Sequence, residues 1–200
     1  PEMAAMNGKE KEKEKLEKKK KKEQTKQEEE FFWKAAREGE FQRVNAFLAL
    51  HPEALRWKDR SGRIGFHHAC GCGKTAVTEL MIEKDKTLVN YADVDGATGF
   101  HLACQNGREE VVKLIVEKYP EANHQRNKNG YNGFHYACCN GFTSVVDMLL
   151  QHDSNLFFTK TKEDNSGLSL AIVNKKEPVI DLLVKTYHEL NERMIKGECK

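Results

Sequence analysis

Gly65-Phe66-His67-His68-Ala69-Cys70 returns 34 residues later as Gly99-Phe100-His101-Leu102-Ala103-Cys104, and again as Gly133-Phe134-His135-Tyr136-Ala137-Cys138. A further copy, Gly167-Leu168-Ser169-Leu170-Ala171-Ile172, keeps the glycine, an apolar second residue and the alanine. One period upstream, Phe32-Trp33-Lys34-Ala35 falls on the same frame. Two more columns hold the spacing without a slip: Gly39, Gly73, Gly107 and Gly141, with Lys175 at the fifth place, and Gly62, Gly96 and Gly130. Self-similarity at a fixed period of this length marks a stack of supersecondary units, each too small to bury its apolar face alone.

The pattern within one copy predicts its parts. Phe100 to Asn106 reads as a short helix ended by Gly107, which can take the left-handed cap conformation. Val111, Val112, Leu114 and Ile115 recur at helical spacing and predict a second helix. Asn123 to Gly130 is polar and ends in glycine, as a projecting loop would. Stacking predicts that Val77, Leu80, Met81 and Ile82 pack on Val111, Leu114, Ile115 and Val116, and those on Val145, Met148, Leu149 and Leu150. The last helix starts well at Pro178, and its stripe of Val179, Ile180, Leu183, Tyr187, Leu190 and Met194 outruns the usual repeat end.

Helix, turn, helix and loop in 34 residues fit two repeat families, and the Trp/Leu/Gly/Tyr pattern of tetratricopeptide units is absent. Asp95-Gly96-Ala97-Thr98-Gly99-Phe100-His101-Leu102-Ala103 resembles the ankyrin T-P-L-H-x-A signature. Asn106 to Leu114 resembles the start of the ankyrin second helix. The resemblance implies an all-α solenoid with β-turn or hairpin loops. Its five repeats fall at about 31–59, 60–93, 94–127, 128–161 and 162–193, between a tail of residues 1–30 and a C-terminal tail of 194–200. Glycine replaces the motif proline at Gly65, Gly99, Gly133 and Gly167, which adds chain entropy to the unfolded state. The threonine survives only as Thr98, and Ile64 cannot hydrogen-bond His67, so that repeat start is expected to be looser. The first and last copies lack the histidine and resemble caps.

Composition limits what such an array could do. The first thirty residues hold ten Lys and nine Glu, so the chain's polarity is concentrated there without a strong net charge. That is not the electrostatic footprint of a nucleic-acid binder, although the run Lys18 to Lys22 leaves tethering to nucleic acid or an anionic surface as an alternative. Only Leu16 is apolar between residues 9 and 30, so no coiled-coil seam exists. Glu14 with Lys18 and Glu17 with Lys21 stand four apart, and the segment is either disordered or a solvated single helix running into Phe31. No run of 18 apolar residues is present, and no secretory signal is visible. The six cysteines look structural, so a reducing compartment is expected: the cytoplasm first, the nucleus second.

Several constellations imitate chemistry. Gly73-Lys74-Thr75 lacks the upstream glycine of a phosphate loop, whose place holds His68. His67, His101 and His135 lie one repeat apart, about 10 Å in a stacked array, too far to share a metal ion. They are read as structural. Cys70, Cys104 and Cys138 behave as small core hydrophobes, while Cys72 and Cys139 face the inner side. No catalytic constellation remains, and neither cofactor nor metal is expected. The resemblance instead implies a partner protein held on the concave face by loop tips and inner helices. Those places are Arg60, Arg63, Asp95, Gln105, Asn106, Lys128, Asn129, Tyr131 and Asn140. Arg60, Arg63 and Lys128 favour an acidic or mixed-charge segment, and Tyr131 is the expected hot spot. An accessory or structural subunit of a larger complex is the other reading.

Overall fold

The computed structural model describes the backbone of residues 2–195; Pro1, residues 196–200 with Cys199, and the side chains of residues 2–13, Leu16, Lys22 and Met194 lie outside the described set. Helices come in pairs. Helix α1 (Glu2–Glu38) pairs with α2 (Phe41–Leu50), α3 (Gly65–Gly71) with α4 (Thr75–Lys84), and α5 (Gly99–Gln105) with α6 (Glu109–Lys118). Helix α7 (Gly133–Asn140) then pairs with α8 (Thr143–His152), and α9 (Gly167–Val173) with α10 (Glu177–Ile195). A five-residue 3-10 turn follows each of α2, α4, α6 and α8. Strand structure among the described residues is confined to two isolated bridges, Ala92 with Thr98 and Lys160 with Ser166, at the loop bases.

The short inner helices form one layer and the longer outer helices the other. Phe32, Phe66, Phe100 and Phe134, one in each of the first four repeats, run through the stack and are at most 1% exposed. The outer layer buries Val77, Met81, Val111, Ile115, Val145 and Leu149; Leu114 and Met148 are only partly covered. Each fully buried aliphatic or aromatic side chain contributes about 1.5–3 kcal/mol.

The glycine that replaces the motif proline has a packing reason. A Cβ on Gly99 would lie 2.7 Å from the Phe66 ring and 2.9 Å from Cys70 Sγ. On Gly133 the distances to Phe100 and Cys104 are 2.6 and 2.7 Å. The preceding repeat's Phe and Cys fill the space that a side chain would need, so the entropic cost of glycine secures close stacking.

The two ends differ from the middle. Helix α1 is continuous for 37 residues: its last two turns are the inner helix of the first repeat, with Phe32 and Ala36 fully buried. Upstream, its described side chains from Glu14 to Gln27 are exposed, and Lys18 pairs with Glu14 at 2.6 Å. Helix α10 runs for 19 residues where the outer helices α4, α6 and α8 have ten. Val179, Leu183 and Leu190 bury one stripe of it, and Tyr187 stacks on Phe157 with ring centres 6.2 Å apart.

Candidate partner-binding surface

Four loops project between the helix pairs, and one column of polar side chains shapes them. Asp59 Oδ1 accepts from the N–H groups of Ser61 and Arg63 at 2.8 and 2.9 Å. Asp93 does the same for Asp95 and Ala97, and Asn127 for Asn129 and Tyr131, each bond 2.9 Å. Thr161 makes the one corresponding bond, from Asn165 N–H at 3.2 Å. These residues also stand 34 apart, and the sequence reading passed over them because Asp, Asn and Thr share an acceptor rather than a shape. Adjacent loops are tied together: Val94 N–H donates to Ser61 O at 3.0 Å, Lys128 N–H to Asp95 O at 2.9 Å, and Lys162 N–H to Asn129 O at 3.1 Å. The result is a continuous hydrogen-bonded rim.

The histidines anchor that rim to the helices. His67, His101 and His135 are fully buried. Each Nδ1 accepts the backbone N–H three residues upstream, from Ile64 at 3.3 Å, Thr98 at 3.1 Å and Asn132 at 3.2 Å. Each Nε2–H donates to the next loop: to Ala97 O at 3.2 Å, to Gln125 O and Tyr131 O at 3.1 Å, and to Thr159 O at 3.2 Å. One ring nitrogen accepting and the other donating requires neutral imidazole. Burial pushes the pKa of His67 and of His135 down to about 4, and lowers that of His101. At the first of these junctions, Ile64 keeps the backbone bond and is itself fully buried, but it lacks the side-chain contacts that Thr98 and Asn132 add.

The residues expected to meet a partner occupy different settings. Arg60, Asp95, Lys128 and Asn129 are exposed at loop tips, and Gln105, Asn106 and Asn140 are exposed at the ends of inner helices. Asn106 and Asn140 each return a side-chain N–H to the carbonyl four residues back, Leu102 O at 3.0 Å and Tyr136 O at 2.9 Å. Arg63 and Tyr131 have a second task. Arg63 Nε donates to the buried carboxylate of Asp93 at 3.0 Å. Burial alone would raise the pKa of Asp93; the hydrogen bonds from Arg63 and from the Ala97 and Asp95 amides outweigh it and hold it low. Tyr131 is half-buried, its ring 5.3 Å from that of Tyr136 and 5.9 Å from that of His135. A cleft of about 700 Å³ also opens between α1 and the first loop, lined by Lys26, Glu30, Trp33, Arg37 and Arg60 among others. The α1 arm thus stands beside the first loop, a juxtaposition not foreseen from the repeat pattern.

Gly73-Lys74-Thr75 is the turn from α3 to α4, with Gly73 left-handed at φ +71°, and no strand precedes it. Burial drives the thiol pKa values of Cys70, Cys104 and Cys138 up, which keeps them protonated. Cys72 is exposed, and Cys139 is partly covered beside Asn174 at 3.3 Å. Among the described residues, no group of three His, Cys, Asp or Glu side chains converges as a metal site would require. Nor is any described helix long and apolar enough to cross a membrane.

Paired helices stacked at a 34-residue period, with a loop rim and a buried histidine at three of its four junctions, define a helical repeat solenoid. The family model of ankyrin repeats (3 copies) matches residues 32–126 and 119–194, most of the chain, so the protein belongs to the ankyrin-repeat family. No curated protein matches it.

Proposed function

We infer that the chain is a scaffold or adaptor that holds a partner protein across its loop rim and inner helices, without turnover. The contact set is Arg60, Arg63, Asp95, Gln105, Asn106, Lys128, Asn129, Tyr131 and Asn140. The hydrogen-bonded rim is the observation that carries this reading. A surface already fixed before binding loses little conformational entropy on association. The tips on that rim also vary from copy to copy, as Arg60, Val94, Lys128 and Lys162 do at one repeated place. Positions that pack repeat the same residue type, whereas positions free to differ can encode specificity.

Arg60 and Lys128 favour a partner segment of acidic or mixed charge. Both are exposed, so replacing them perturbs recognition with little effect on folding. The test is affinity capture from the native lysate, with the intact chain and with Arg60→Ala/Lys128→Ala as baits, followed by titration of the recovered partner. The expected loss is about tenfold or more, equivalent to ~1.4 kcal/mol. Equal affinity of the two baits overturns the assignment and moves the search to the α1 arm or the outer helices. The other reading, a subunit of a larger assembly, draws on one observation, the apolar end of the fifth repeat.

A further inference from the structure

Within repeats one to four, four positions are closed off by the repeat that follows. They are Phe32, Phe66, Phe100 and Phe134; Ala36, Cys70, Cys104 and Cys138; Val44, Thr78, Val112 and Val146; and Leu48, Ile82, Val116 and Leu150. None of these sixteen side chains is more than 8% exposed. The fifth repeat puts Leu168, Ile172, Ile180 and Val184 at the same places. All four remain apolar, yet Ile172 is 55% and Val184 42% exposed, while Leu168 and Ile180 are partly uncovered. A terminal repeat that ends in water carries a polar outer face. This one carries a stacking face, which departs from the expectation of a cap at that end.

The fold itself removes two candidate occupants. The first is the N-terminal end of a second copy, stacked head to tail. Phe31 stands there at the place of Gly65, Gly99, Gly133 and Gly167, where even a Cβ would approach a neighbouring ring to between 2.5 and 2.7 Å. The second is an in-register sixth repeat on the same chain. Residues 187–195, which would have to form the turn and loop leading to it, are instead the continuation of α10.

We propose that this face pairs with its own counterpart on a second copy of the chain, making a two-fold dimer through α9 and α10. An apolar face without charged side chains at its centre is complementary to itself under a two-fold axis. Its exposed border carries both signs, Lys175, Glu177, Asp181 and Lys185, so a face-to-face pairing does not set a one-signed rim against itself. The contact set of the partner-binding reading lies in the second to fourth repeats and this face in the fifth, so the two proposals are tested by different residues.

Sedimentation equilibrium on the 200-residue chain tests it, together with Ile172→Glu and Val184→Glu. The expected result for the parent is a species of twice 22.9 kDa. Each glutamate raises the dimer dissociation constant at least tenfold with an unchanged helical circular dichroism spectrum. A parent that stays monomeric up to its solubility limit overturns the proposal and leaves the face to a different protein. Species larger than a dimer overturn it too, because they require head-to-tail stacking. A dimer that survives Ile172→Glu/Val184→Glu places the contact elsewhere and overturns it as well.

Discussion

Repeats two to four and the fifth repeat share one frame and diverge wherever a following neighbour is involved. The interior histidines donate to the next loop; Ser169, at the same place, turns back to Ser166 O at 2.9 Å. Interior Cys70, Cys104 and Cys138 give way to the bulkier Ile172. Two glycine columns end in Asp164 and Lys175, which keep the left-handed backbone at φ +63° and +54°. The glycines they replace have a neighbour at the Cβ position: Gly130 faces Lys162 N at 2.8 Å and Gly141 faces the Lys176 side chain at 2.9 Å. The difference separates two demands that coincide inside the array. One is set by the residue's own backbone, the other by the next repeat.

The widest gap between the two regions should open in acid. His67 and His135 titrate at about 4 when folded, against an ordinary value of 6.5. The unfolded chain therefore takes up protons first as pH falls. Stability is held above pH 6.5 and lost between 6.5 and about 4, below which the native rings also protonate. Each ring contributes about 1.4 kcal/mol per pH unit over that window, so together they remove about 7 kcal/mol. Urea melts from pH 7.5 down to 4.5 check this, and a flat profile would show that the rings charge without leaving their places. Ser169 makes no such contribution to the fifth repeat.

A single histidine isolates the same contrast. His101→Ala strips the acceptor from Thr98 N–H and the donor from Gln125 O and Tyr131 O, all at a fully buried site. About 4 kcal/mol should be lost. Ser169→Ala removes one local hydrogen bond, from the Ser169 hydroxyl to Ser166 O, and should cost about 1 kcal/mol. Equal losses in denaturant melts would mean that the histidine-to-next-loop bonds contribute nothing beyond a local hydrogen bond.

The fold was legible because stacking forces one residue type to recur at one spacing, as at Phe66, Phe100 and Phe134. The helix boundaries follow to within a residue: the helix read as Phe100 to Asn106 is Gly99–Gln105. What stayed hidden depends on contacts with no local signature. A Lys/Glu segment suits a solvated helix or a disordered tail equally, and only the backbone settles on continuity into α1. The Arg63–Asp93 pair joins two loops 30 residues apart, so Arg63 resembles a free tip residue until the loops are placed side by side. The tyrosine expected as a hot spot also lends its carbonyl to His101, a role that no side-chain pattern encodes. The exposed end of the fifth repeat could have been read from the sequence, since Leu168, Ile172 and Val184 are apolar in columns that a water-facing cap has no reason to keep.

Substitutions at the left-handed positions test the separation of demands directly. Gly107 meets both: φ is +63°, and a Cβ would lie 2.3 Å from the Phe142 ring. Gly107→Ala should cost about 3 kcal/mol, part backbone strain and part overpacking. Lys175 occupies the corresponding place in the fifth repeat at φ +54° and is exposed. Only the backbone term applies there. Lys175→Gly relieves the strain of a left-handed L-residue, worth about 1–2 kcal/mol, and gives back part of it to the greater freedom of glycine in the unfolded chain. A net gain of about 0.5–1 kcal/mol is expected, read as a higher denaturant midpoint at unchanged slope. The sign is what matters, because glycine usually weakens a protein when it replaces a residue on a helical frame. A loss at this position would mean that the lysine side chain makes a contact worth more than its backbone strain. The fifth repeat would then be closed by its own residues, and the case for an open stacking face would weaken with it.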